Sequence, residues 1–109
     1  MLLQIMLPGQ FETVIQEPGP ALVLFVGRGC PHCQVVKPTV RQFGAERADV
    51  RCYALDCDRF EAEANQHRIR SIPTIILFNG GRALARHGGE ISRGALGKFV
   101  DKALGRLQS

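Results

Sequence analysis

Two cysteines three residues apart are the side chains of this sequence with the clearest chemistry. Cys30 and Cys33 flank a proline and a histidine in the run Cys30-Pro31-His32-Cys33. In the first turn of a helix, residues three apart lie on the same face, so the two sulfur atoms can reach each other. A mixed disulfide on the outer Cys30 can then be resolved by Cys33. The pair predicts thiol–disulfide exchange through a redox-active Cys30–Cys33 disulfide, with no other cofactor and no metal.

The surroundings expected for Cys30 favour its thiolate form. Unpaired backbone N–H groups and the helix dipole lower the pKa of a thiol at a helix start. His32 lies between the two sulfurs and can donate to the Cys30 thiolate, and Arg28 is a second cation nearby. Pro31 lacks an N–H, which costs nothing in a first helical turn. We expect a pKa for Cys30 well below the free value of about 8.5. The alternative for His32 is an exposed histidine in a turn.

A zinc site is the alternative for the cysteines, because all four together have the spacing C-x2-C-x18-C-x4-C. Cys52 and Cys57 would both fall on or beside one strand, where residues an odd number apart point to opposite faces. They would also lie roughly 16 Å apart at about 3.3 Å per residue. We therefore expect both to be small buried core residues.

The apolar pattern predicts the elements that position the pair. Residues 21–26 form a continuous apolar run, typical of a strand buried on both faces, and a helix is expected from about Cys30 to Ala48. Other strands are predicted at residues 1–7, 50–56, 72–78 and 82–87, the last two joined by the turn Asn79-Gly80-Gly81. Other helices are predicted at residues 9–17, from an Asp58 N-cap to about His67, and after a Ser92 N-cap.

This order, β-α-β-α-β-α-β-β-α, predicts an α/β fold. Crossover helices imply parallel strands, and the closing hairpin adds antiparallel pairing. The expected sheet is mixed and mostly parallel, with an antiparallel C-terminal hairpin and helices on both faces. The length of 109 residues suits one domain over residues 1–109.

Composition narrows the class of partner and the compartment. The net charge of +4 comes from scattered basic residues, not from the clustered patch typical of nucleic-acid binding. No apolar run approaches the roughly 18 residues that span a membrane, and the N-terminus is a poor signal peptide. We expect a cytoplasmic monomer that binds neither nucleic acid nor membrane, or a periplasmic one if a signal has been trimmed.

The chain resembles the thioredoxin family over nearly its whole length. A strand leads into Cys-x-x-Cys with Pro38 five residues beyond it, and further along come Arg70-Ser71-Ile72-Pro73-Thr74, the Asn-Gly-Gly turn, and Gly89 before Ser92-Arg93-Gly94. The resemblance implies a thioredoxin fold, with Cys30 as the attacking thiol and Cys33 as the resolving one. It also implies that Pro73 is a cis-proline facing the cysteines and that the backbone of Ile72 pairs with an extended substrate segment. Gly89 would bind substrate together with Ile72 and Pro73.

Three positions depart from the pattern of the family. Gly29 stands where the family usually has tryptophan, and Leu24 where it usually has a buried aspartate that helps to move the proton of the resolving thiol. The dipeptide Pro31-His32 resembles that of strongly oxidising periplasmic enzymes, although this short chain lacks their inserted helical domain. We therefore expect a couple less reducing than that of ordinary thioredoxin. His67 and His87 have no evident partner and are expected at the surface.

The implied function is a protein-disulfide oxidoreductase, acting as a reductase or exchanger on protein disulfides. A thioredoxin reductase or glutathione would supply its electrons. Two alternatives remain open from the sequence. One is a binding or chaperone module of the same fold with little catalysis, and the other is a glutathione-linked, glutaredoxin-like enzyme.

Overall fold

Strand β2 (Pro20–Val26) lies at the centre of a five-stranded sheet. Every residue of β2 after Pro20 is buried, as the apolar run predicts for a strand covered on both faces. The computed structural model describes residues 2–5 and 7–106. Its other strands are β1 (Leu2–Gln4), β3 (Arg51–Asp56), β4 (Thr74–Asn79) and β5 (Arg82–Gly88), in the sheet order β1-β3-β2-β4-β5. The helices are α1 (Gln10–Gln16), α2 (Pro31–Glu46), α3 (Glu61–Gln66) and α4 (Arg93–Ala103).

Most of the predicted elements are present, with shifted ends. The first strand is shorter than the predicted 1–7, and Met1 and Met6 of that prediction lie outside the described residues. Strand β4 begins at Thr74, two residues later than expected, because Pro73 precedes it and has no N–H to donate to a ladder. Ser92 caps α4 as predicted, since its side chain accepts a hydrogen bond from the backbone N–H of Ala95 at 3.2 Å.

Alternate residues of β2 build two apolar cores, one on each face of the sheet. Leu22 and Leu24 face the core that α2 and α4 cover, together with Val36, Val40, Phe43, Leu96 and Val100. Val23 and Phe25 face the opposite core, which α1 covers through Phe11, Val14 and Ile15. The helices on both faces are therefore confirmed.

The mixed sheet is also confirmed, but antiparallel pairing extends one strand further than expected. Strands β1, β3 and β2 are parallel to one another, whereas β4 is antiparallel to β2 as well as to β5. Val26 pairs with Asp56 and Phe25 with Thr74, so β4 begins at the same end of the sheet at which β3 ends. Helix α3 has six residues and is about 9 Å long, too short to carry the chain back along a strand.

Asp58 does not cap α3, which corrects the predicted N-cap. Its carboxylate instead accepts a hydrogen bond from the backbone N–H of Arg28 at 2.7 Å. The cap position is Phe60, whose ring is buried, and no side chain caps this helix. The contact with Arg28 ties the loop after β3 to the loop after β2.

His67 is half-buried and not fully exposed, and it has partners that the sequence did not show. Its ring packs edge-on against the rings of Phe11 and Phe78, with centroids 5.2 Å from each. His87 is also half-buried and has partners, since Nε2 contacts the carbonyl of Glu90 at 3.1 Å and its ring approaches Phe99. Within the described ranges, the helices are too short or too polar for a membrane-spanning segment.

Candidate active site

Helix α2 begins immediately after Cys30, which is its N-cap residue. The backbone of Cys30 is extended, Pro31 occupies the first helical position, and the backbone N–H of Cys33 donates to Sγ of Cys30 at 3.2 Å. This is the hydrogen bond that a capping side chain normally makes, here with sulfur as the acceptor. The same N–H would stabilise a thiolate at that atom.

Cys30 and Cys33 form a disulfide, with their Cα atoms 5.3 Å apart. The helical stripe that packs on the sheet consists of Cys33, Val36, Val40 and Phe43, so Cys33 belongs to the core and is 1% exposed. Cys30 precedes the helix and is 9% exposed. The two sulfurs are therefore unequal, and a partner approaching from solvent meets Cys30 first.

The loop before β4 lies beside this pair. The Ile72–Pro73 peptide bond is cis, and Ile72 packs against the core that contains both cysteines. Gly27, in the loop that leads to Cys30, faces Ile72 so closely that a Cβ on it would lie 2.7 Å from Cδ1 of Ile72. A side chain at position 27 would therefore require the end of the Ile72 side chain to shift.

Gly89 lies at the same end of the molecule as the loop before β4. Its backbone N–H donates to the carbonyl of Pro73 at 2.8 Å, which fixes the loop after β5 against the loop before β4. Gly89 has φ of 92°, a conformation that favours glycine. The next apolar residue, Ile91, packs on the core of the cysteines. The structure thus brings together the predicted residues Cys30, Cys33, Ile72, Pro73 and Gly89.

His32 extends from the first turn of α2 towards the loop after β5. Its Nδ1 forms an ion-pair contact with a carboxylate oxygen of Glu90. The side chains are 68% and 43% exposed, so the pair lies at the surface. Sequence reasoning did not single out Glu90. The available signal was its position directly after Gly89, in a loop already assigned to the site.

The thioredoxin family profile matches residues 3–102 of the chain. The chain belongs to the thioredoxin family. It is 33% identical over 96 residues to a thioredoxin of Acidithiobacillus ferridurans, covering 86% of this chain and 89% of that protein. It is 34% identical over 76 residues to a thioredoxin-like protein of Synechocystis, covering 69% of this chain and 72% of that protein.

Two solved structures share the fold. A mutant thioredoxin from Halobacterium salinarum has a TM-score of 0.85 at 24% identity, covering 94% of this chain and 89% of that one. A chain from a study of thiol resolution in a yeast mitochondrial 1-Cys peroxiredoxin has a TM-score of 0.82 at 17% identity, covering 92% and 94%. Together with the disulfide at the start of α2, family membership makes the protein a thiol–disulfide oxidoreductase with a redox-active Cys-x-x-Cys centre.

The structure shows the surroundings of two positions that depart from the thioredoxin pattern, Gly29 and Leu24. Gly29 has φ of 62°, in the left-handed region, and a side chain there would be strained. Leu24 is fully buried in the core that also holds Cys33, with Ala54 and Ile75 beside it on the neighbouring strands. Among the described residues no carboxylate is buried, and the one buried polar residue is Thr74.

The two remaining cysteines lie on opposite faces of the sheet, as the strand spacing predicts. Cys52 is buried in the core of α2 and α4, as expected, whereas Cys57 is only half-buried against the other core, because it lies beyond the end of β3. Burial raises the pKa of each thiol to about 11. At neutral pH both are protonated and therefore poor nucleophiles. Within residues 2–5 and 7–106, no three or more His, Cys, Asp or Glu side chains are placed to hold a metal ion.

Proposed function

We propose that the protein exchanges its Cys30–Cys33 dithiol with disulfides of other proteins, with Cys30 as the nucleophile and Cys33 as the resolving thiol. The observation that carries this assignment is the inequality of the two sulfurs. Cys30 is the more exposed, at 9% against 1%, and its Sγ accepts the N–H of Cys33 at the helix start.

The exchange takes place in two balanced steps. The Cys30 thiolate attacks one sulfur of the substrate disulfide, the substrate S–S bond breaks, and the other substrate sulfur leaves as a thiolate that takes up a proton. Cys33 then loses its proton and attacks Sγ of Cys30, which releases the second substrate sulfur. The substrate has gained two electrons, and Cys30–Cys33 has been oxidised to the disulfide.

The loops beside the disulfide offer a binding surface for an extended segment of the substrate. We assign the backbone of Ile72 to pairing with that segment in the manner of an added strand, with Pro73 and Gly89 on either side. The support is the hydrogen bond between Gly89 and Pro73 and the packing of Ile72 on the core of the cysteines.

Trapping of the mixed disulfide tests these roles. A Cys33→Ser variant should form a stable mixed disulfide with a disulfide-bonded peptide through Cys30, detectable by mass spectrometry. A Cys30→Ser variant is the matched control and should form at least 100-fold less, because Cys33 is buried and the raised pKa values of Cys52 and Cys57 keep them protonated. Comparable trapping in both variants would contradict the assignment.

We further propose that the Cys30–Cys33 couple is less reducing than that of ordinary thioredoxin. If His32 lowers the pKa of Cys30 from about 7 to about 5, the reduced form gains about 2.3 kcal/mol at pH 7. That gain corresponds to about 50 mV, which moves the couple from about −270 mV for thioredoxin to about −220 mV. The potential would then lie near the glutathione poise of a cytoplasm, about −220 to −260 mV. Glutathione or a thioredoxin reductase could therefore recycle the enzyme there.

The measured potential decides this point. We expect about −220 mV by equilibration with glutathione, and a lower value for His32→Pro. A potential of about −270 mV or below in the parent protein would refute the proposal that the couple is less reducing. The assigned roles of Cys30 and Cys33 would be unaffected. Parallel recycling assays with glutathione alone and with a thioredoxin reductase would identify the donor.

A further inference from the structure

Glu90 is held in place from both sides. Its neighbour Gly89 donates to the carbonyl of Pro73 at 2.8 Å, and Ile91 packs on the core that contains the cysteines. The carbonyl of Glu90 itself contacts Nε2 of His87 at 3.1 Å. The backbone position of Glu90 is therefore fixed beside the site, and its carboxylate reaches Nδ1 of His32.

Reduction of the disulfide changes the charges around His32. When a donor dithiol reduces the disulfide, the Cys30–Cys33 bond breaks and a disulfide forms on the donor. One proton of the donor goes to Cys33, the other is released to solvent, and Cys30 remains as a thiolate. In the disulfide state the partner of a protonated His32 is the Glu90 carboxylate. In the reduced state the same imidazolium can serve either of two anions, the carboxylate or the new thiolate.

We propose that Glu90 is a positioning residue that acts through His32 and limits how far the couple favours its reduced form. The inference rests on the proposed role of His32 as a stabiliser of the thiolate. By holding His32 in the disulfide state, Glu90 stabilises the oxidised enzyme. In the reduced state it competes with the thiolate for the imidazolium. Both effects oppose reduction.

Removal of this carboxylate should make the enzyme more oxidising. Exposed charge pairs interact weakly, so Glu90→Gln should raise the equilibrium constant for reduction only about threefold. A threefold change corresponds to about 14 mV for a two-electron couple. Equilibration with glutathione at pH 6 is the suitable measurement, because acid favours the imidazolium form on which the pair with Glu90 depends. Thiolate absorbance against pH should also show a lower midpoint for Cys30.

A double-mutant cycle separates this inference from the proposed function. Glu90→Gln in a His32→Gln background should change the equilibrium constant less than 1.5-fold, because the residue through which Glu90 acts is gone. Glu46→Gln is the matched control, since Glu46 is also an exposed carboxylate in an ion pair, with Arg93. It should leave the potential unchanged.

Three results would overturn the inference. They are an unchanged or lowered potential in Glu90→Gln, an equal shift in the His32→Gln background, and an equal shift in Glu46→Gln. If His32→Gln alone leaves the potential of the parent unchanged, the proposed role of His32 fails. If His32→Gln lowers the potential and Glu90→Gln does not raise it, the role of His32 stands and only the inference about Glu90 fails.

Discussion

At the scale of single residues, Leu24 decides how Cys33 can lose its proton. Cys33 is 1% exposed, and burial disfavours the thiolate that resolution of the mixed disulfide requires. Thioredoxins usually have a buried aspartate at the position of Leu24, which can take that proton. Here the side chain is a hydrocarbon within an apolar core. Water, His32 or a carboxylate outside this core must accept the proton instead.

Resolution of the mixed disulfide should therefore be the slow half-reaction. Turnover should rise between about pH 7 and 9 as Cys33 ionises. Leu24→Asp should speed resolution about tenfold, and it should lower the free energy of unfolding by about 3 kcal/mol or more, because a buried carboxyl replaces packed apolar surface. Stopped-flow measurement on a disulfide peptide would separate attack from resolution.

Leu24→Asn is the matched control for this prediction. The amide is similar in size to the acid and should be comparably destabilising, but it cannot accept the proton of Cys33. A faster resolution step in both variants would point to loosened packing. Equal rates for the parent and Leu24→Asp across the pH range would show that the missing carboxylate has no kinetic consequence.

At the scale of secondary-structure elements, the connection from α3 to β4 packs a titratable group against the core that α1 covers. The ring of His67 packs between Phe11 of α1 and Phe78 of β4, and its Nε2 is buried without a hydrogen-bond partner among the described residues. Burial lowers the pKa of His67, the charge of Arg86 lowers it further, and Glu12 opposes both. The folded protein therefore prefers the neutral ring.

The sign of the linkage follows from this lowered pKa. In the unfolded state a histidine is protonated near pH 6.5, whereas in the folded state His67 is protonated only at a lower pH. The unfolded state then binds more protons, so the contribution of His67 to stability is present above about pH 6.5 and is lost as the pH falls towards the folded pKa.

Replacement of this histidine should remove part of the acid sensitivity. Between pH 7.5 and 5, the free energy of unfolding in urea should fall less for His67→Phe than for the parent. His87→Gln, which changes a histidine on the outer strand β5, should follow the parent curve. Parallel pH curves for His67→Phe and the parent would contradict the prediction.

The elements that the sequence predicted well are those that local residues determine. Ser92 caps α4 through a contact three residues away, and the alternating burial of β2 follows from its apolar run. Asp58 was wrongly assigned as a cap because its carboxylate bonds to the N–H of Arg28, 30 residues away. The partial burial of His67 was missed for a similar reason, since it depends on Phe11, which lies far away in the sequence.

The site residues likewise fall into those that a local pattern predicts and those that depend on distant contacts. The spacing of Cys30 and Cys33, followed by an apolar helical stripe, was sufficient to locate the disulfide at the start of α2. Glu90 was missed because its contact with His32 spans 58 positions of the sequence. Such a contact depends on the register of β5 and on the bond between Gly89 and Pro73, which no local pattern shows.

At the scale of the whole molecule, the sheet topology collects several arginines at the end that holds the disulfide. Strands β2 and β3 are parallel, and β4 is antiparallel to β2. The loops after β2 and β3 and the loop before β4 therefore lie at the same end of the strands. These loops contain Arg28, Arg59 and Arg70, all exposed. Within the described chain, the arginine ion pairs involve Arg47, Arg93 and Arg106 instead.

This distribution of charge predicts a preference among substrates. A net charge of +4, with arginines at the active-site end that form no ion pair within the described chain, should attract disulfides flanked by acidic residues and speed their encounter. At low ionic strength we expect an acidic disulfide peptide to be reduced about threefold to tenfold faster than a basic one of the same length. The difference should nearly vanish at about 0.5 M salt, where screening reduces interactions beyond a few ångströms.

A pair of charge reversals separates a local effect from one of net charge. Arg70→Glu changes the active-site edge, whereas Arg82→Glu changes an exposed arginine at the start of β5, at the opposite end of the sheet. Each substitution replaces one positive charge with one negative charge, so the net charge changes equally. Arg70→Glu should erase most of the preference for the acidic peptide, and Arg82→Glu should keep it. If both variants lose it equally, the net charge of the molecule and not the edge around Cys30 steers the substrate.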